Sequence, residues 1–199
     1  RVAREHNITL VHVSSDYVFD GTAEEHDEEE AFAPLGVYGQ TKAAGDIAVA
    51  NAPRHYILRS SWVIGEGRNF VRTMMGLSDR VAEGELDKVT VVDYQFGRLT
   101  FTKDMAAAIF HLLDSGAVYG TYDLTGSGVV KSWADIARMV FDLAKGNGDS
   151  VVPISTQEYF ANAKAPVSPR PPHSALDLAK IEAPGLVVPD WEDSLKASV

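Results

Sequence analysis

Short apolar runs alternate with helix-forming segments along most of the chain, and this alternation is the feature that most constrains the fold. Apolar runs occupy residues 8–14, 55–64 and 88–92. A helix is predicted at residues 37–50, and others are predicted to start with caps at Asn69, Thr102, Ser132 and Asp190. Near-continuous apolar strands suit a parallel sheet that is covered on both faces. The sequence therefore predicts an α/β fold with a doubly wound parallel sheet, with the three apolar runs as parallel strands.

Chemistry is indicated where the first apolar run ends and the first long helix begins. Tyr38 and Lys42 are four residues apart, so a helix would place both side chains on one face. A lysine ammonium beside a phenol stabilises the phenolate, which would let the tyrosine exchange a proton with a substrate oxygen. Ser15, at the end of the preceding strand, is placed to hold that oxygen. By itself the Tyr-x-x-x-Lys pattern also occurs by chance, with the tyrosine at the edge of the core and the lysine in solvent.

Longer stretches around these residues resemble a known family. The sequence SSDYVFDG at 14–21, followed by VYGQTKAAGD at 37–46, resembles the extended short-chain dehydrogenase/reductases, and within them the dTDP-4-dehydrorhamnose reductases. The same order and spacing continue through RSSWVIGEGRNFVRTM at 59–74, DYQFGRLTFTKDMA at 93–106, GTYDLTGSGVVKSWADIA at 120–137 and RPPHSALDLAKI at 170–181. The resemblance thus covers nearly the whole chain.

The resemblance implies a catalytic triad of Ser15, Tyr38 and Lys42, in which a serine stands where these reductases more often carry threonine. Tyr38 and Lys42 would also contact the cofactor, which would be NADPH or NADH. The sugar-nucleotide dehydratases typically carry an Asp-Glu pair after the hydroxyl residue, whereas this chain has Asp16 and Tyr17. That difference favours plain reduction of a dTDP-linked 4-keto-6-deoxysugar.

Further substrate contacts are implied by the same resemblance. Asp16, Tyr17 and Asn69 are expected near the substrate, and Trp62 is expected against the deoxysugar ring. Arg170 and Ser174 are candidates for its phosphates, although an arginine among prolines is equally often an ordinary surface residue. Leu99 replaces the family's usual proline, so the shape of the loop at residues 95–98 is not fixed by the resemblance.

The cofactor half of such a fold is not evident in this sequence. A dinucleotide fold needs a glycine-rich turn between a strand and a helix, and Gly126-Ser127-Gly128 lies late and has no third glycine before a helix. By the resemblance, roughly the first third of the domain is expected to be missing, which would leave a partial Rossmann-like sheet. Residues 1–150 would be the rest of the cofactor-binding domain with interleaved substrate-lobe segments, and residues 151–199 mainly a small substrate-binding lobe with a C-terminal helix.

Charge and composition exclude several other classes of function. The formal net charge is −10, with 28 acidic against 18 basic residues that form no stripe, so nucleic acid is not an expected partner. No apolar run approaches the roughly 18 residues of a membrane span, and no membrane association is expected. The absence of cysteine excludes disulfides and thiol chemistry and fits a cytoplasmic protein.

No metal site is predicted. The acidic cluster at residues 24–30 contains His26, but a run of like charges is more often a solvated loop. His12, His111 and His173 show no metal-ligand spacing and are interpreted as structural residues.

Two functions remain open from the sequence. The first is an NAD(P)H-dependent reductase. The second is a non-catalytic regulatory or nucleotide-sugar-binding module of the same fold. The regulatory subunit of methionine adenosyltransferase, which resembles these reductases, is an example of such a module.

If the first strands are absent, the strand at residues 8–14 would have an unpaired edge. A homo-oligomer or another chain is expected to cover that edge.

Overall fold

The computed structural model describes residues 1–161 and 168–199, and its elements alternate as the sequence predicts. The helices are α1 Val2–Glu5, α2 Val37–Ala50, α3 Phe70–Ala82, α4 Thr102–Ser115, α5 Trp133–Lys145, α6 Thr156–Ala161, α7 Ala179–Glu182 and α8 Trp191–Lys196. The strands are β1 Leu10–Ser15, β2 His55–Ser60, β3 Val63–Ile64, β4 Val89–Val92, β5 Phe96–Gly97, β6 Thr100–Phe101, β7 Gly120–Leu124, β8 Lys131–Ser132 and β9 Val151–Ile154.

The main sheet is parallel and three-stranded, in the order β1-β2-β7. Helix α2 connects β1 to β2 and packs on both strands, so its N-terminal turn lies close to the carboxyl end of β1. The predicted α/β class and parallel sheet are therefore confirmed.

The strand prediction was wrong in two places. Residues 88–92 do form a strand, β4, but it pairs with β9 in a separate two-stranded parallel sheet, and β7 takes the third position in the main sheet. The run at 55–64 is not one strand, because Trp62 has a positive φ of 48° that separates β2 from β3. A bulky residue in this left-handed region is rare, so periodicity could not predict the break.

The two faces of the main sheet differ in chemistry. One face is apolar and packs against α4 and α7 through side chains that include Tyr56, Leu58, Tyr122, Leu112 and Ile181. On the other face, Ser14, Arg59 and Asp123 lie side by side in register. The sequence predicted two apolar faces, and the second is in fact a buried polar layer.

Several helix starts follow from their capping residues. Asn69 and Ser132 accept hydrogen bonds from the first turns of α3 and α5, and Ser132 with Asp135 completes a capping box. Asp190 caps α8, whose Trp191 is fully buried. Thr102 was expected to cap α4, but it is the first helical residue, and Phe101 occupies the cap position without a side-chain bond.

The segment after residue 151 is only partly as expected. A C-terminal helix was expected there, and α8 fits this, but the segment also contains the strand β9 and the helix α6, Thr156–Ala161. The predicted turn at residues 95–98 contains β5, which pairs antiparallel with β8. Leu99, at the position of the family's usual proline, is fully buried, and its carbonyl accepts a hydrogen bond from the Gly126 amide. This loop is therefore held in the core.

Candidate active site

The carboxyl end of β1 and the first turns of α2 bring Ser15, Tyr38 and Lys42 to one region. The Lys42 Nζ donates a hydrogen bond of 2.6 Å to the carbonyl oxygen of Val13 in β1, which ties the helix to the strand. A side chain at Gly39 would collide with the carbonyl oxygen of Tyr17, so glycine permits the close approach of α2. The Tyr38 side chain is 57% exposed and therefore open to a ligand.

Ser15 and Asp16 form a buried polar pair beside this helix. The Ser15 hydroxyl donates to Asp16 Oδ1 at 3.0 Å and accepts a hydrogen bond from the Tyr17 amide at 3.2 Å. Asp16 is 3% exposed. Burial raises the pKa of Asp16 from 3.8 to about 6, although the nearby Ser174 and Ser15 hydroxyls act to lower it. A carboxyl group that titrates near neutral pH thus adjoins the predicted catalytic serine.

Tyr17 and Tyr38 line a cavity of about 210 Å³ with residues from the C-terminal part of the chain. Their rings meet edge to face, with centroids 5.6 Å apart. Ser168 and Arg170 also line this cavity. Burial raises the pKa of the Tyr17 phenol, while the charge of Arg170 lowers it. The predicted Tyr17, Tyr38 and Arg170 therefore share one cavity.

A second cavity, of about 360 Å³, adjoins Arg170 and has aromatic walls. Phe70 and Trp133 line it together with Gln95. Trp133 stacks on Trp62 with ring centroids 3.8 Å apart, and its Nε1 donates to Gln95 Oε1 at 3.2 Å. Trp133 is not among the site residues that the sequence led us to expect. Its position directly after a capping serine gave no signal of this stacking.

Trp62 is held in place on two sides. Trp133 covers one part of its indole ring, and a Cβ atom at Gly97 would lie only 3.1 Å from the ring atoms Cε2 and Cζ2. This packing supports the positive φ at Trp62. Trp62 therefore lies behind Trp133, which lines the second cavity.

Asn69 and Ser174 have structural contacts. Asn69 Oδ1 accepts from the Arg72 amide at 3.0 Å, and its Nδ2 donates to the Gly65 carbonyl at 2.7 Å, which caps α3 and closes the preceding loop. Ser174 is buried beside Asp16, whereas the sequence suggested phosphate contact. The bonds of Asn69 account for its side chain without a ligand.

The acidic cluster at residues 24–30 is more ordered than a solvated loop. His26 is buried, stacks on Phe19 and contacts Glu30 Oε2 through Nδ1 at 2.7 Å. The His26 backbone bonds to Ala175 and Asp177, which fixes the cluster to the C-terminal segment. In residues 1–161 and 168–199 no group of three or more histidine and acidic side chains is arranged to hold a metal ion.

A buried ion pair anchors the helix that carries Tyr38 and Lys42. Arg59 Nε donates to Asp46 Oδ2 at 3.1 Å, and both side chains are at least 95% buried. The Arg59 guanidinium also lies between the rings of Phe19 and Phe32, at 5.2 and 4.9 Å from their centroids. Because Asp46 is on α2, this pair fixes the helix against the sheet. Sequence reasoning missed it, since an arginine inside an apolar run gives no indication of its partner.

The whole chain, residues 1–199, matches the family model described as the RmlD substrate binding domain. The chain belongs to this family. Among its relatives within the RmlD family, the chain is 38% identical over 208 residues to a dTDP-4-dehydrorhamnose reductase from Aggregatibacter actinomycetemcomitans, covering 98% of this chain and 67% of that protein. It is 40% identical over 157 residues to a dTDP-4-keto-6-deoxy-D-glucose reductase from Streptomyces niveus, covering 77% of this chain and 52% of that protein.

Solved structures agree with the RmlD assignment. The chain superimposes with a TM-score of 0.84 on dTDP-4-dehydrorhamnose reductase from Bacillus anthracis strain Ames in complex with NADP, at 33% identity. That comparison covers 98% of this chain and 66% of the other. The chain thus spans about two thirds of the length of the RmlD relatives that it matches.

In the part that the structure describes, no helix is long and apolar enough to cross a membrane.

Proposed function

We propose that this chain supplies the catalytic and substrate-binding part of an NAD(P)H-dependent reductase that converts the 4-keto group of dTDP-4-dehydro-L-rhamnose to the alcohol of dTDP-L-rhamnose. The observation that carries the proposal is the convergence of Ser15, Tyr38 and Lys42 at the carboxyl end of β1, where ligands bind in open α/β sheets. The reductase names of the relatives and the NADP in the Bacillus anthracis structure support it.

Tyr38 is the proposed general acid. When bound, the dinucleotide would supply hydride to the keto carbon. The Tyr38 hydroxyl would donate its proton to the keto oxygen as negative charge develops there. Its exposed position beside a cavity supports this role, because a substrate can reach the phenol.

Lys42 has two proposed tasks, to stabilise the phenolate of Tyr38 and to bond the nicotinamide ribose. Its Nζ already donates one hydrogen bond, to the Val13 carbonyl, and an ammonium group has three protons to donate. Within residues 1–161 and 168–199 this is the one hydrogen bond recorded for Nζ, so two donors remain for a ligand. This donor capacity fits the ribose contact, whereas the glycine-rich turn for the pyrophosphate does not occur in the 199 residues.

The sugar nucleotide is proposed to lie along the two cavities that meet at Arg170. Ser15, Asp16 and Tyr17 would contact the keto-sugar end, and Arg170 would pair with the diphosphate. Trp62, which stacks on Trp133 of the second cavity, would contact the sugar. Asn69 would act mainly through the loop that it holds, because its side chain already bonds that loop.

The proposed interleaving of substrate-lobe segments is supported by the way in which strands combine. Strand β4 pairs with β9, so residues before and after 150 contribute to one small sheet. This pairing fits a substrate lobe built from interleaved segments.

The cytoplasm is the compartment that we expect for this protein, because the chain contains no cysteine.

Consumption of NADPH, and of NADH in parallel, tests the function with dTDP-4-dehydro-L-rhamnose as substrate. The assay uses the full polypeptide in which this chain is joined to a dinucleotide-binding segment. dTDP-4-keto-6-deoxy-D-glucose serves as the competing substrate, as suggested by the name of the Streptomyces niveus relative. Lys42→Ala should lower the rate and weaken dinucleotide binding together.

The second candidate is a non-catalytic nucleotide-sugar-binding module. It would be favoured if dTDP-sugar bound with no oxidation of either dinucleotide, and if Tyr38→Phe and wild-type protein bound the sugar equally well. Turnover that depends on Tyr38 would exclude it.

A further inference from the structure

The hydroxyl of Ser15 has a single proton, and that proton is already committed. It is donated to Asp16 Oδ1 at 3.0 Å, while the Ser15 oxygen accepts from the Tyr17 amide at 3.2 Å. A serine hydroxyl can donate only one hydrogen bond. In this arrangement Ser15 can accept from a ligand, but it cannot donate to a carbonyl oxygen.

The protonation of Asp16 can reverse the bond. An ionised carboxylate only accepts hydrogen bonds, whereas a protonated carboxyl has one O–H to donate. Protonated Asp16 can donate to the Ser15 oxygen, and the Ser15 proton is then free to point at a ligand. The direction of one hydrogen bond thus depends on one proton at Asp16.

The surroundings of Asp16 make this proton exchangeable near neutral pH. Burial is the largest influence and raises the pKa of Asp16 to about 6. The Ser174 and Ser15 hydroxyls act to lower this pKa, as does the charge of His26 in the acidic cluster. Tyr17 is the adjoining titratable phenol. His26 in turn contacts Glu30. The site is therefore a cluster of polar groups around one buried carboxyl.

We propose that Asp16 is a positioning residue whose protonation state sets the direction of the Ser15 hydroxyl, so that Ser15 donates to a substrate carbonyl only when Asp16 is protonated. This proposal rests on the proposed function, in which Ser15 faces the keto oxygen. It makes Asp16 a control on substrate orientation, distinct from the proton donor Tyr38.

The coupling between the two residues can be measured without any turnover. Aspartate labelled with ¹³C at the carboxyl carbon is incorporated into the full polypeptide, and the Asp16 signal is assigned from its loss in Asp16→Asn, or by backbone correlation if that variant does not fold. Ser15→Ala removes a hydrogen bond that favours the ionised form, so the Asp16 titration should move to higher pH. Ser174→Ala should move it in the same direction and leaves the Ser15 hydroxyl in place. An Asp16 titration that is the same in Ser15→Ala as in wild type would overturn the proposal.

The effect on catalysis is read from the pH profile of kcat. The wild-type rate should rise roughly tenfold as the pH falls through the Asp16 titration, about the value of one hydrogen bond of ordinary strength. Ser174→Ala should shift this step to higher pH by the same interval as the NMR titration, and Asp16→Asn should abolish it. A step that stays in place in Ser174→Ala although the NMR titration of Asp16 moves, or a step that persists in Asp16→Asn, would refute the proposal. Absence of turnover at every pH would instead refute the proposed function, and the NMR titration would still decide the coupling.

Discussion

At the scale of single residues, Tyr38 combines high exposure with a proposed chemical role. Its ring touches Tyr17 edge to face, and more than half of its side chain is open to solvent. Tyr38→Phe keeps the ring and removes only the hydroxyl. We therefore expect an unchanged melting temperature and a fall in kcat of roughly 10²–10⁴-fold, the usual range for general acid catalysis.

The Tyr38 prediction is checked by NADPH consumption together with thermal unfolding of the same samples. Tyr119→Phe is the matched control, because Tyr119 is also a partly exposed tyrosine but lies directly before β7, where its hydroxyl accepts from Arg54. Turnover of Tyr38→Phe at the wild-type rate would refute Tyr38 as the acid and favour the binding-module function.

Asp123 is a residue whose ionisation should limit the stability of the fold. It is fully buried, and burial together with the charges of Glu28 and Asp27 raises its pKa from 3.8 to about 8, although Arg59 and Lys180 oppose this. Between these two pH values the folded protein holds a proton that the unfolded chain has released. This contribution to stability is therefore complete below pH 3.8 and is lost as the pH rises toward 8.

We expect the free energy of unfolding to fall across that pH interval by several kcal/mol, since one pKa unit corresponds to about 1.4 kcal/mol. Asp123→Asn cannot ionise, so its unfolding free energy should depend less on pH and should exceed that of wild type at pH 9. Urea unfolding at pH 5, 7 and 9 measures this. Asp114→Asn, at an exposed site on α4, is the control and should follow wild type. A steeper decline with pH in Asp123→Asn than in wild type would contradict the assignment.

The contacts of single residues could be predicted from the sequence where a local pattern determines them. The caps at Asn69, Ser132 and Asp190 act within four residues, and all three are confirmed. The pairs Arg59–Asp46 and Trp62–Trp133 join residues that are distant along the chain. Neither polarity nor spacing predicts such contacts, because the partner is chosen by tertiary packing. The roles of the site residues themselves stay predictions.

At the scale of elements, α2 connects the fold to the site. It carries Tyr38 and Lys42 near one end, and one turn beyond Lys42 it carries Asp46, which bonds Arg59 of β2. A break in this buried pair leaves an uncompensated charge in the interior, a loss of about 3–5 kcal/mol. Arg59→Ala should therefore destabilise the protein strongly and displace the helix that holds the proposed acid.

An exposed ion pair of the same geometry is the control for Arg59. Arg80 Nε contacts Glu85 Oε2 at 3.0 Å, and both side chains are about half exposed. Exposed pairs contribute about 0–1 kcal/mol, so Arg80→Ala should change urea unfolding little. Equal losses in Arg59→Ala and Arg80→Ala would show that the buried pair does not anchor α2.

The elements also show what the hydrophobic pattern of the sequence can predict and what it cannot. Helix α2 has the predicted bounds, 37–50, because its glycines, its alanines and the proline at residue 53 define it locally. Strand β4 was predicted within one residue, yet its partner is β9 and not the main sheet. Strand pairing joins segments about 60 residues apart, and an apolar run carries no information about which edge it meets.

At the scale of the whole molecule, the arrangement of the main sheet places β1 at an edge. In the ranges that the structure describes, β1 pairs only with β2, and apolar side chains near it are open, among them Ile8 and Val13 at 41–48% exposure. Unpaired edge strands with apolar side chains favour association with another chain. We therefore expect the 199-residue chain, prepared alone, to form dimers or larger assemblies through this edge.

Light scattering coupled to size-exclusion chromatography measures this association. A charge on an edge strand blocks pairing, so Val13→Glu should lower the mass toward that of the monomer, 21.6 kDa. Val187→Glu makes the same change at a site with 85% exposure, on the segment before α8, and should leave the mass unchanged. A wild-type chain that elutes as a single monomeric species would contradict this prediction. Equal dissociation by both variants would assign that dissociation to general charge repulsion, in a protein that already carries a net charge of −10, and not to a blocked edge strand.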